Sequence, residues 1–137
     1  MSWRKTLDKD RASGIILKEG RILLIHRIRS DREYYVLPGG KIEENETAEE
    51  ALDREMKEEL GIQIPEEKVI PLCDYFNNEL QTYRYVFFVE SDLEKSQMKL
   101  NEGEGFDWIP LDKVFEYAIT EKTKRYLETF LKVNGLV

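Results

Sequence analysis

Fourteen residues, Thr47–Leu60, carry the strongest local folding signal in this chain. Thr47 followed by Glu50 has the form of a capping box, and Gly61 closes the segment as a left-handed C-terminal residue would. A helix turns roughly 100° per residue, so Glu55, Glu58 and Glu59 fall within an arc of about 100°. Leu52, Met56 and Leu60 form the neighbouring apolar stripe. A merely solvated acidic face would point away from that stripe, as Asp53 and Lys57 do. Glu59 instead projects close to Leu52, and Glu55 lies between the small residues Ala48 and Ala51. Half-buried carboxylates that repel one another need a neutralising charge. Arg54 is one source of it. A divalent cation is another, because clustered carboxylate oxygens suit magnesium or manganese. On these residues alone, a salt-bridged structural helix and a metal site both stand.

The rest of the chain reads as strands with one further helix pair. Ala12–Lys18 and Arg21–Arg27 are apolar runs separated by Glu19-Gly20, a hairpin signal. Tyr34–Leu37 is a short strand that ends at Pro38-Gly39-Gly40, and Arg29–Arg32 is a charged loop. Val69–Asn77 and Leu80–Glu90 form a second strand pair, the latter with both faces largely apolar. Ser91–Gly105 reads as a loop, Phe106–Ile109 as a strand, and Leu111–Tyr117 and Glu121–Val133 as helices. Interleaved strands and helices over 137 residues predict one layered α/β (α+β) domain spanning 1–137.

Composition narrows the functional classes. The net charge of −7 argues against a nucleic-acid polymer as partner, while a small polyphosphate is compatible if a cation screens the acids. No apolar run approaches membrane-spanning length, no secretory signal is visible, and the single cysteine, Cys73, reads as a small core residue. A cytoplasmic protein is expected. His26, on an apolar strand, reads as structural. Monomer and homodimer are both open.

The segment Gly40–Ile62 resembles the Nudix box, G-x5-E-x7-R-E-U-x-E-E-x-G-U, in which U is a bulky aliphatic residue. Gly40, Glu46, Arg54, Glu55, Met56, Glu58, Glu59, Gly61 and Ile62 fill its nine specified positions. The resemblance implies an αβα sandwich with a central mixed sheet, the box helix Thr47–Leu60 and a C-terminal helix. It also implies a metal-dependent pyrophosphohydrolase that cleaves a diphosphate linkage in a small nucleotide-type substrate by water attack on phosphorus. Mg2+ or Mn2+ is the implied cofactor. Glu55, Glu58 and Glu59 resemble the metal-binding glutamates, and the carbonyl of Gly39 a further ligand. Glu46 and Arg54 resemble the pair that braces loop against helix, with Arg54 orienting a catalytic carboxylate. Lys41 resembles a position that faces substrate phosphate, with a solvated loop lysine as the alternative. Arg27 either reaches substrate phosphate or covers the sheet. The general base is Glu55 or an acid before Trp108, Glu102 ahead of Glu104. A Nudix-fold nucleotide-binding or regulatory module without catalysis is the competing reading; degenerate boxes mark such modules, and this box lacks no acid.

Overall fold

The computed structural model describes residues 9–101 and 103–135. Its strands are β1 (Arg11–Lys18), β2 (Arg21–Arg29), β3 (Arg32–Val36), β4 (Gly39–Lys41), β5 (Ile70–Asn77), β6 (Thr82–Glu90) and β7 (Gly105–Pro110), and its two α-helices are α1 (Ala48–Leu60) and α2 (Glu121–Val133). The sheet runs β3-β2-β1-β6-β5, with β4 added to β1 and β7 to β2. It is mixed: β1 and β6 run parallel, and every other pair is antiparallel.

Strand alternation sends side chains to two separate cores. Ala12, Ile16, Leu23, Ile25, Phe87 and Val89 face α1, where they meet Leu52, Met56 and Leu60. Ile15, Ile22, Leu24 and Val86 face the other way and meet Tyr126, Leu127 and Phe130 of α2. The result is the expected αβα sandwich.

Local signals set several boundaries. Thr47 Oγ1 accepts the Glu50 N–H, the Glu50 side chain reciprocates to the Thr47 N–H, and Gly61 closes α1 at φ 64°. Glu19 and Gly20 both take positive φ, as a two-residue hairpin turn requires. Elsewhere tertiary contacts override local pattern. Leu111–Tyr117 is not a helix: only Val114–Glu116 makes a single 3-10 turn. Val114 is its one buried residue, and the chain then extends so that Ala118 accepts the Tyr35 N–H and Ile119 bridges to Tyr35. Strand β4 occupies glycines read as a loop, because Arg11–Ser13 of β1 offers it a partner. The charged loop after β2 shrinks to a turn at Ser30–Asp31, and β6 starts at Thr82 after a turn in which Gln81 has positive φ. Cys73 is half-buried and free, and burial pushes its thiol up. His26 stacks on Tyr35 and sets Nε2 2.7 Å from Glu33 across the β2–β3 pair, a structural position. No helix among the described residues is long and apolar enough to cross a membrane.

Candidate active site

β1 and β6 begin, and β2 ends, at the same end of the central strands. A cleft of about 1050 Å³ opens there, with α1 on one side and the start of α2 on the other. Gly39, Lys41, Arg27, Arg54, Glu55, Glu58 and Glu59 all line it. Sequence positions from two strands and one helix thus converge on one concavity.

Two glycines bring the β4 backbone against α1. A Cβ on Gly40 would stand 2.5 Å from the Glu55 carboxylate, so the absence of a side chain is what seats that carboxylate against the strand. Gly39 has φ 143°, and a Cβ there would meet the Ala12 carbonyl oxygen at 2.1 Å. Its N–H donates to Glu59 Oε1 at 3.0 Å. Arg27 Nη2 donates to Glu59 Oε2 at 2.8 Å. Glu59 is only 1% exposed, so the least solvated of the acids is held by one cation and one backbone donor.

Arg54 organises the remaining acids. Its Nε donates to Glu46 Oε2 at 2.6 Å and its Nη2 to Glu46 Oε1 at 3.1 Å, a two-point grip suited to the guanidinium plane. Nη2 also reaches the Lys41 carbonyl at 2.8 Å, tying the loop before α1 to the helix. Nη1 meets Glu55 Oε1 at 3.1 Å and Glu58 at 3.2 and 3.3 Å. The hydrogen bond from Arg54 holds the Glu46 carboxyl below its usual range. Reciprocally, Glu46 foremost, with Glu58 and Glu55, raises the Arg54 guanidinium above its ordinary value. Glu46 and Arg54 thus tie the loop before α1 to the helix by hydrogen bonds. The carboxylates that repel one another on a bare helix are neutralised here by Arg54 and Arg27.

The donor set has the chemistry of a hard-cation site. Oxygens of Glu55 and Glu58 already converge on a single positively charged nitrogen, Arg54 Nη1, and oxygen ligands suit magnesium and manganese. Among the described residues, however, no three carboxylate, imidazole or thiolate side chains are gathered into a ready cage. Glu59 in particular is committed to Gly39 and Arg27. Each carboxylate oxygen has more than one lone pair, so these hydrogen bonds leave it acceptor capacity.

The two acids considered before Trp108 fare differently. Glu104 Oε2 accepts the Ile28 N–H at 3.0 Å and its N–H donates to the His26 carbonyl; it is not among the residues lining the cleft. Glu102 lies outside the described residues. Asn101 N–H donates to the Glu59 carbonyl at 2.7 Å, and Gly103 sits beside Ile25 and the His26 carbonyl.

Lys41 is exposed at the rim and contributes its carbonyl to Arg54. Arg27 lines the cleft and pairs with Glu59. Sequence reasoning missed the cleft's far wall, where Arg11, Arg84 and Lys122 stand. The one available signal was an arginine on the strand face otherwise carrying Thr82, Val86 and Phe88.

Comparison with known proteins agrees with this geometry. The family model for the NUDIX domain matches residues 8–130. The chain is 33% identical over 104 residues to an 8-oxo-dGTP diphosphatase of Buchnera aphidicola, covering 72% of this chain and 75% of that protein. It is 50% identical over 56 residues to an ADP-ribose pyrophosphatase of Methanocaldococcus jannaschii, covering 40% of this chain but only 32% of that relative. Among solved structures, a MutT NUDIX hydrolase from Burkholderia pseudomallei superposes with a TM-score of 0.72 at 28% identity, covering 88% of this chain and 96% of the other.

Proposed function

This chain belongs to the Nudix family and is a hydrolase of pyrophosphate bonds, and on that premise we propose that it cleaves the diphosphate linkage of a small nucleotide with the help of a divalent metal. The observation that carries the reading is the convergence of Glu55 and Glu58 on one cationic nitrogen at the wall of the cleft, with Glu59 anchored beside them.

Glu55 and Glu58, with Glu59 and the Gly39 carbonyl, would hold magnesium or manganese. Bound there, the metal supplies charge neutralisation for the diphosphate and a more acidic water. The protein's own groups do the rest. Arg54, fixed by Glu46, positions the Glu55 and Glu58 carboxylates. Glu59 anchors the Gly39 backbone and holds Arg27 at the cleft wall. Water attacks phosphorus, its proton passes to a carboxylate, and the P–O bond to the bridging oxygen breaks, that oxygen leaving with the bond's electron pair on the departing phosphate. Glu55 or Glu102 is the proton acceptor.

The test is formation of nucleotide products, separated by chromatography, from a panel of nucleoside triphosphates, dinucleotide polyphosphates and nucleotide sugars, with magnesium, with manganese and with chelator. Hydrolysis of at least one class is expected with metal and none with chelator. Undiminished turnover in chelator refutes the metal role. Nucleotide binding without hydrolysis under every metal condition refutes the catalytic reading.

A further inference from the structure

Arg11 and Arg84 are register partners in the parallel β1–β6 pair, which places their backbones about 4.8 Å apart. Strand alternation puts both on the face that carries Ile15 and Val86, the face covered by α2. Like charges directly opposed across a strand pair destabilise it. Arg84 is also 9% exposed, which makes the opposition costlier. Its Nη1 donates to Thr82 Oγ1 at 2.7 Å and to the Tyr83 carbonyl at 3.3 Å, both neutral acceptors. Its Nε is shut off from solvent and meets no acceptor. Among the described residues, no carboxylate forms an ion pair with Arg84, Arg11 or Lys122.

Lys122 completes the group from the first turn of α2. Desolvation in the cleft, then Arg84 and Arg11, push its ammonium down, and desolvation with Arg84 does the same to Arg11, against a partial offset from Glu55. The α2 terminus adds donors. Thr120 takes the N–H groups of Thr123 and Lys124, and the N–H groups of Glu121 and Lys122 remain for an external acceptor. Glu121 is exposed at the same turn and offsets part of the positive charge. The far wall of the cleft thus holds a cationic group with unused donors, Arg84 buried and Arg11 and Lys122 exposed, opposite the carboxylates of α1.

We propose that Arg11, Arg84 and Lys122, with the first turn of α2, hold a phosphate of the substrate beyond the linkage that is cleaved. The enzyme then favours nucleotides with a free terminal phosphate, such as nucleoside triphosphates, over diphosphates that join two sugars. This assignment rests on the pyrophosphohydrolase reading for its substrate but not for its anion site, and the two are tested separately.

Inorganic phosphate and tripolyphosphate are titrated into the full chain in chelator, followed by calorimetry and thermal unfolding. Wild type should bind tripolyphosphate and gain Tm by mass action. Arg11→Gln and Arg84→Gln should each weaken that binding at least about tenfold, the loss of one charge-assisted contact, while Arg84→Lys retains part of it. Arg11→Gln alters an exposed side chain, so it keeps the test valid if Arg84→Gln unfolds. Absence of tripolyphosphate binding to wild type, or unchanged binding in Arg11→Gln, overturns the site. With metal present, kcat/KM should fall at least tenfold more for a nucleoside triphosphate than for a sugar-linked diphosphate in Arg11→Gln. Equal losses on both overturn the specificity assignment. Anion binding without hydrolysis of any nucleotide by wild type would refute the catalytic reading and leave the anion site standing.

Discussion

Gly40→Ala separates the position of one carboxylate from the stability of the fold. The new methyl would stand 2.5 Å from both the carboxyl carbon and Oε1 of Glu55. Ordinary van der Waals contact begins near 3.4 Å, so the carboxylate must retreat by about 0.9 Å, and misplacement on the 1 Å scale can cost about 10²-fold in rate. The retreat is mechanically easy, because the obstructing atoms are the end of a flexible side chain and the backbone at Gly40 has no positive φ. Gly40→Ala is therefore expected to lower kcat/KM by about 10²-fold, roughly 2.7 kcal/mol of transition-state stabilisation, with Tm falling by only a few degrees.

Gly39→Ala is the control with the opposite balance. Its methyl meets the Ala12 carbonyl oxygen at 2.1 Å, a backbone atom within the β1–β4 pairing, and φ 143° is unfavourable to any residue with a Cβ. The main loss there should be stability. Steady-state kinetics and thermal unfolding on both variants decide the matter. Full activity in Gly40→Ala would refute the assignment of Glu55 to the chemistry, and a Tm loss as large as that of Gly39→Ala would refute the view that only the carboxylate moves.

Three further outcomes follow from the hydrogen bonding. Glu59→Gln should cost stability as well as activity, by about 1–3 kcal/mol, because Arg27 loses its buried partner; an unchanged urea midpoint would contradict this. Glu43, through its bond to Lys9, and Glu46, through its bond to Arg54, both have carboxyls held below the usual range. Their contribution is complete above the ordinary glutamate value and is lost as pH falls through the depressed values, so Glu46→Gln should flatten the acid limb of a Tm-versus-pH curve. For the base, Glu104→Gln should leave kcat close to normal, since its carboxylate serves the Ile28 N–H away from the cleft. Either Glu55→Gln or Glu102→Gln should lower kcat by roughly 10²–10⁴-fold without rescue by excess manganese, and near-normal kcat in both would exclude the two acids together.

The features legible in the sequence are those whose causes are local. The capping box of α1, its Gly61 terminus and the Glu19-Gly20 turn need only a few neighbouring residues, and each forms as read. So does the acid face of α1, because helical geometry alone puts Glu55, Glu58 and Glu59 on one side. Leu111–Tyr117 misleads because its apolar pattern competes with a distant strand: Tyr35 draws Ala118 and Ile119 into extended pairing, and one 3-10 turn remains. β4 is invisible for the same reason, since two glycines with little intrinsic strand preference are held by Arg11–Ser13.

Charge illustrates the difference most sharply. The net value of −7 describes the whole chain, but a ligand responds to the potential within the cleft. The fold places Glu59 against Arg27, gathers Glu46, Glu55 and Glu58 around Arg54, and puts Arg11 and Arg84 side by side without a carboxylate ion-paired to either among the described residues. Those two arginines lie more than seventy positions apart in the sequence. Only the parallel β1–β6 register makes them neighbours, and a parallel pairing requires a crossover that no short motif announces. The box declares the acidic half of the cleft because one helix holds it. The cationic half is built from strands that meet only in the finished sheet, so the part of the site that would choose among substrates is the part that sequence pattern reveals least.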